Sequence, residues 1–533
     1  MYYWLFVLHN VTIFLVYCLC YNIINKFKEI KKMKGIVMRK FKEQFTYPEG
    51  FEFKLKPFEH QDNYLKSAWR LRNDGILFDM GLGKTKVTLD TAAMLAYSNK
   101  IDSLIVFAPK GVYANWEKIE LPKHMSPSVQ YKVVLWKGLR TKKNVNELLP
   151  IMKHEDSILH IFIINYDAVI TEKGKYTLEA FIKGHDNTMI VCDESTKIKN
   201  FKAKRTIELC KLAAKCTCRR ILTGSPITKN PLDIFSQAKF LSPDYFGNNY
   251  YSFRNRYAIL EDVTTFGGAS FKKVAGFKNL NELSDKLETF THRIMKEECL
   301  DLPDKTYMTR TFELSKEQRA LYDEMKSTMM IDLGDDMVST TIVLTKLLRL
   351  RQICSGYAPT DSGDLLEIPN SRLETLIDCI EEINGKVIIW AYFIPDILHI
   401  EKALKETYGE ASTVTYYGAT SLEDRTANIN KFETNPECRF FIANPKVGGM
   451  GITLNAANYS IFYNSDYNYE DRRQAEDRNY RIGQNTNVTY IDIIAQDTIE
   501  QDIINALVNK NDIATTVLRD TPVAWLTKIL LNK

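Results

Sequence analysis

The chain has 533 residues, 45% of them hydrophobic and 26% charged, with a formal net charge of +5. That length exceeds one ordinary domain and suits two large ones, and the composition is globular and not disordered. The charge is no argument for a nucleic-acid partner, because residues 26–42 alone carry seven Lys, one Arg and one Glu, a balance of +7 that leaves −2 for the rest.

Residues 1–25 contain no Asp, Glu, Lys or Arg. They suit either a membrane-spanning helix held positive-inside by the basic run, or a leader translated upstream of a start at Met33 or Met38. A buried soluble helix is a third reading. A cleaved signal peptide fits poorly, for want of a basic n-region and a small-residue cleavage site. The ten cysteines are scattered with no CxxC spacing, which argues against zinc and for reduced thiols in a cytoplasmic protein.

Farther along, short apolar runs bounded by turn residues recur in two sets, the pattern of parallel strands buried on both faces. The first set is GILFDM (75–80), SLIVFAP (103–109), IFIINY (161–166), TMIVCDE (188–194) and RRILTGS (219–225). The second is KVIIWAYF (386–393), TVTYYG (413–418), RFFIAN (439–444), YSIFYNSD (459–466) and VTYIDIIA (488–495). Helical patterns such as Lys84 to Tyr97 and Ser421 to Phe432 lie between the runs, so each set reads as a doubly wound α/β domain. About 230–375 reads as mostly helical.

Four motifs carry chemistry. The strand GILFDM runs into GLGKT, where Gly81 and Gly83 let the backbone wrap a phosphate, Lys84 neutralises β and γ charge, and Thr85 can ligate magnesium. Phe78 stands where the strict phosphate-loop pattern has its first glycine. Next, Asp193 and Glu194 end a buried strand and can divide the work, one holding magnesium through water and the other polarising the attacking water. The third is LTGSPI, with Thr223, Gly224 and Ser225. In the fourth, QAEDRNYRIGQ, Arg478 and Arg481 sit three apart, a spacing that shares a helical face, and paired guanidiniums suit a transferring phosphoryl group.

In this order and spacing the motifs resemble superfamily 2 helicases, specifically Swi/Snf-type ATPases, over roughly residues 50–510. LKPFEHQ (55–61) resembles the segment whose Gln, here Gln61, reads adenine, and VFAPKGVYANWEKI (106–119) the one after the second strand. LTGSPITKNPLDIFSQAKFLSPDYFG, HRIMKEECLDLPDK, YYGATSLEDR and NPKVGGMGITL are similar to further family segments. The resemblance implies two RecA-like doubly wound parallel-sheet lobes with helical insertions between them. It implies ATP and magnesium as cofactors, hydrolysis at the lobe interface, with Gln474, Arg478 and Arg481 taking part, and a monomer tracking along double-stranded DNA. Lys110, Trp116, Gly449 and Gly451 become candidates for positioning the DNA backbone, and Thr223, Gly224, Ser225 and Thr196 for coupling. Forked or single-stranded DNA, a strand-separating or branch-migrating helicase, and a nucleotide-gated binding module without turnover are the alternatives.

The family's motif II histidine is replaced by Thr196, whose hydroxyl is expected to bridge to Gln474. The expected boundaries are a leader at 1–33, a first lobe at 45–300 with a helical insertion near 230–300, a helical linker at 301–375, a second lobe at 376–520 and a tail at 521–533. No accessory domain fits beside them, which favours a compact bacterial or bacteriophage-type enzyme in the cytoplasm, or one anchored to a membrane if the leader is real.

Overall fold

A computed structural model describes residues 44–110, 112–139, 141–264, 270–300, 302–334, 340–359, 365–448, 452–481 and 483–518. The leader at 1–33, the tail at 521–533, Gly449 and Gly451 lie outside the described residues. Among the described residues no helix is long and apolar enough to cross a membrane.

The first lobe is built on a seven-stranded, wholly parallel sheet. Its strands are β1 (Asn73–Phe78), β2 (Ser103–Ala108), β3 (Gln130–Leu135), β4 (Ile158–Asn165), β5 (Thr188–Asp193) and β6 (Cys218–Leu222), a hairpin of β7 (Ala258–Thr264) and β8 (Ser270–Phe277) outside the sheet, and β9 (Thr291–Ile294). The spatial order is β3-β4-β2-β5-β6-β1-β9. The second lobe has a six-stranded parallel sheet of β10 (Lys305–Phe312), β13 (Lys386–Trp390), β14 (Thr413–Tyr416), β15 (Phe440–Ala443), β16 (Ala457–Phe462) and β17 (Val488–Ala495), in the order β10-β17-β16-β13-β15-β14. A small hairpin of β11 (Tyr357–Pro359) and β12 (Leu365–Glu367) stands apart. The architecture is thus two doubly wound α/β lobes, as the apolar runs require.

Each of the ten apolar runs overlaps a strand of these sheets. Their side chains are buried on both faces: β2 and β15 are buried at every position. Three strands of the two large sheets lie outside those runs, for physical reasons. Edge strand β3 is half-exposed along most of its length, and β9 is four residues long with His292 and Arg293 inside it. The second lobe's edge strand β10, in the stretch read as helical, exposes Met308 and Thr309 and pairs with β17 along eight residues. An edge strand needs only one buried flank, so it loses the continuous apolar signature.

The lobes share one compact unit that begins at Tyr47. The helix Ile499–Leu518 spans them: Ile503, Ile504 and Leu507 pack with Ile494 and Tyr469 of the second lobe, while Val517 and Leu518 join the first-lobe core that holds Leu283 and Leu287.

Candidate functional site

Strand order brings the first-lobe motifs together. In β5-β6-β1 the loops leaving the carboxyl ends are Asp193-Glu194, Thr223-Gly224-Ser225 and Gly81 to Thr85, side by side at the edge where parallel sheets bind ligands. Gly224 is pressed against the start of the phosphate loop: a Cβ there would lie 3.4 Å from the Phe78 carbonyl and 3.5 Å from the Met80 nitrogen. Thr223 donates its N–H to Ile76 O of β1, and its hydroxyl accepts the Ser225 N–H at 3.1 Å. Ser195 donates to Gln237, whose amide donates to Pro226 O, so the acidic motif and LTGSPI are wired through one buried glutamine.

The phosphate loop turns on two left-handed glycines, Gly81 at φ 85° and Gly83 at φ 82°, before the helix Lys84–Tyr97. Lys84 Nζ donates to Phe78 O at 2.9 Å and Asp79 O at 3.3 Å. Burial lowers its proton affinity, and Glu194, Asp193 and Asp79 work against that loss. Thr85 stands half-buried in the first turn of the helix. Gln61 accepts the Phe58 N–H and donates its amide to Leu82 O, and His60 also meets that carbonyl.

A Cβ on Gly83 would stand 2.3 Å from Gln61 Nε2. Gly83→Ala therefore combines left-handed strain with displacement of Gln61, and we expect it to cost about 1–3 kcal/mol of stability and to weaken ADP binding by roughly tenfold. Urea melts and titration of a fluorescent ADP check this; parent-like values in both would refute the crowding.

Asp193 and Glu194 keep part of their surface open, yet are surrounded closely enough that burial raises both carboxyls. For Glu194, burial and then the charge of Asp193 push it up to about 7. Glu194 also holds a left-handed backbone at φ 51°, a strained position for a residue with a Cβ. Asp193 Oδ1 accepts the Glu194 N–H, its carbonyl accepts the Tyr166 hydroxyl at 2.6 Å, and its Oδ2 accepts the indole N–H of Trp116 at 2.9 Å. Trp116 is thus 3% exposed and turned onto the acidic motif, while Lys110, two residues beyond β2, is exposed.

Opposite this face stands the second lobe. The arginines do not share a helical face: the helix Tyr469–Glu476 ends before them, because Arg478 O accepts the Leu454 N–H across the lobe. They converge on one carbonyl instead. Arg478 Nη1 and Arg481 Nη1 each donate to Ile452 O at 2.9 Å. Arg478 Nη2 meets Met80 Sδ at 3.2 Å, and Arg481 Nε lies 3.6 Å from where a Cβ on Gly81 would stand. Burial, then the neighbouring Arg481, pushes Arg478 down to about 10.

Thr196 donates to Glu470 Oε1 at 2.8 Å, and Gln474 Nε2 approaches the same oxygen at 3.4 Å. The expected bridge from Thr196 to Gln474 thus runs through Glu470, whose carboxylate reaches from one turn farther up the helix.

Two cross-lobe ion pairs have no signature in sequence. Asp79 Oδ1 accepts from Arg293 Nη2 of its own lobe and from Arg473 Nη2 of the other, each at 2.9 Å. Burial opposes the charge of Asp79, but Arg293, Arg473 and Lys296 outweigh it and hold the carboxyl well below the usual range. Lys296 donates to Asp477 and to Tyr480 O. The only sequence hint was position: Asp79 abuts the phosphate loop, and Arg473 and Asp477 flank Gln474 and Arg478.

The SNF2-related domain profile matches residues 58–357, and the helicase conserved C-terminal domain matches residues 371–483. A putative ATP-dependent helicase/translocase of Bacillus subtilis is 27% identical over 94% of this chain and 53% of its own length. An uncharacterised ATP-dependent helicase of Mycoplasma genitalium is 28% identical over 83% of this chain and 40% of its own. The human DNA excision repair protein ERCC-6 is 27% identical over 90% of this chain and 33% of its own. The chain spans about half the length, or less, of these curated relatives. A solved SWI2/SNF2 ATPase core from Sulfolobus solfataricus, in complex with dsDNA, aligns with 91% of this chain and 97% of its own at 24% identity and a TM-score of 0.38. The curated relatives are bacterial and eukaryotic and lend no support to a bacteriophage affiliation. With a phosphate loop and acidic motif in one lobe, paired arginines in the other, and more than half its length matching the SNF2-related domain, the chain belongs to the SNF2-related family and carries its two-lobed ATPase core.

Proposed function

We propose that the chain is a DNA-dependent ATPase that moves along double-stranded DNA and remodels DNA or protein–DNA complexes. The observation that carries this reading is the placement of Arg478 and Arg481 of the second lobe beside Met80 and Gly81 of the first. A nucleotide seated on Gly81 to Thr85 would then meet two guanidiniums supplied by the other lobe, which is how a motor ties hydrolysis to lobe movement. Relatives that are named as ATP-dependent helicases, a translocase and a DNA excision repair protein support DNA as the track.

In this reading Lys84 leaves its carbonyl partners for the β and γ oxygens, the N–H groups at the start of the helix Lys84–Tyr97 cradle them, and Gln61 faces the base. Glu194, with its carboxyl raised toward neutrality, is suited to orient the attacking water and accept its proton. The donor set fits magnesium: two crowded carboxyls whose ionised forms burial disfavours, with the Thr85 hydroxyl at the helix start. Among the described residues no group of three or more His, Cys, Asp or Glu could hold a metal, so Thr85 and Asp193 would share the ion with water and phosphate oxygens. The ion would draw charge from the β and γ oxygens.

Duplex DNA should stimulate hydrolysis more than single strands or RNA of equal length, and the stimulation should fall as salt rises, since backbone phosphates would be the main contact. Phosphate release with each nucleic acid measures this, and RNA as the best activator would overturn the choice of track. Displacement of a triplex third strand without loss of the duplex distinguishes translocation from strand separation.

A further inference from the structure

Trp116, a candidate for positioning the DNA backbone, turns its indole N–H onto Asp193. The segment after β2 runs as a short helix Tyr113–Asn115, a π-helical turn Trp116–Glu120 and a helix Leu121–His124. Pro122 accounts for the wide turn: it has no N–H to give Lys118 O, and its ring would clash with that carbonyl in a continuing α-helix. The Leu121 N–H reaches back five residues to Trp116 O instead, the wide turn often found at functional sites.

A buried indole N–H is a donor that must find an acceptor. This one reaches Asp193 Oδ2 at 2.9 Å across 77 residues of sequence, a charge-assisted bond to a carboxyl that burial otherwise disfavours as an anion. With the Glu194 N–H on Oδ1 and Tyr166 on the carbonyl, Asp193 is held at both carboxyl oxygens and at its main chain. Glu120, at the other end of the π turn, is close enough to Arg481 that each changes the other's proton affinity. One end of the turn therefore bonds the acidic motif of the first lobe, and the other lies within electrostatic reach of an arginine of the second.

We infer that Trp116 is a positioning residue for Asp193: its indole N–H aims the carboxylate at the magnesium of the bound nucleotide and ties it to the segment that begins at Lys110. A carboxylate has lone pairs enough to accept the indole N–H and still face a metal or its water. This inference rests on the ATPase reading above.

The test uses the full chain and Trp116→Phe, which keeps an aromatic ring and deletes the N–H. Fluorescent ADP is titrated in EDTA and again over a range of magnesium concentrations, with thermal melts in parallel. The half-saturating magnesium should rise by roughly tenfold in the variant, while metal-free ADP affinity stays within about threefold of the parent, since the lost bond acts on the metal's carboxylate only. A packing role alone would lower the melting temperature and leave the magnesium requirement unchanged, and that result overturns the inference. If the variant does not fold, the parent decides: adding magnesium to its ADP complex should change the tryptophan emission, and Asp193→Ala should abolish the change. No emission change in an ADP-binding parent overturns the inference. A parent that binds no ADP at all overturns the ATPase reading itself, and the inference with it.

Discussion

Replacing Lys84 with alanine is expected to reduce DNA-stimulated ATP hydrolysis to below a tenth of the parent rate. Lys84 is the only lysine in the loop Gly81 to Thr85, and its ammonium already sits over the loop on Phe78 O and Asp79 O. Neighbouring cations of the same lobe are committed elsewhere, Arg293 to Asp79 and Lys296 to Asp477, and Arg478 and Arg481 come from the other lobe, anchored on Ile452 O. Alanine is the best helix former, so the start of the helix Lys84–Tyr97 should survive, and the loss should fall on phosphate binding and charge stabilisation. Removing one preorganised donor at a developing charge typically costs about a hundredfold or more. Steady-state phosphate release at saturating duplex DNA is the measurement, with a urea melt to show that the variant is folded. Hydrolysis above a tenth of the parent rate in a folded variant would remove Lys84 from the phosphate site.

What could be read in the sequence follows from what local pattern records. The ten buried strand runs were visible because a strand packed on both faces must be apolar throughout, and the helix Lys84–Tyr97 because it follows a glycine-rich turn. Phosphate loop and acidic motif each occupy a few consecutive residues, so their chemistry is spelled out locally. Contacts between lobes are not. Arg473 and Asp79 are 394 residues apart, and Lys296 and Asp477 are 181 apart, so only the docking of one lobe on the other makes them partners. The path from Thr196 depends on the same docking: a threonine hydroxyl reaches one bond's length, and the acceptor that comes within it is Glu470, not Gln474. Trp116 became a candidate for the DNA backbone through the resemblance of its segment to the family's, and nothing local points to Asp193, its partner 77 residues away.

The second large effect concerns the arginines. Lysine at Arg481 or Arg478 is expected to cut kcat at saturating DNA and ATP by roughly a hundredfold or more, with nucleotide affinity little changed, as for groups that act mainly in the transition state. Both guanidiniums spend one arm on Ile452 O, and Arg481 Nη1 also donates to Thr453. That anchor fixes the two forks relative to each other and leaves the remaining N–H groups toward Met80 and Gly81. A lysine has a single ammonium: it can hold the carbonyl or reach the phosphate, and it cannot present a planar fork to either. The two variants should differ in a second way. Arg478 also donates Nε to Gln474 O at 2.8 Å and is buried, so its replacement removes that buried bond and should cost stability of about 1–3 kcal/mol besides activity. Arg481 lies nearer the surface, with fewer buried partners, so Arg481→Lys is the cleaner probe of chemistry. Were the arginines only a structural clamp on Ile452, Arg478→Lys would lower the urea midpoint and both variants would keep kcat within about threefold of the parent, a difference of well under 1 kcal/mol in the barrier. Single-turnover hydrolysis beside those melts separates the two outcomes, and a near-parent rate in a stable Arg481→Lys protein would remove the second lobe from the chemistry.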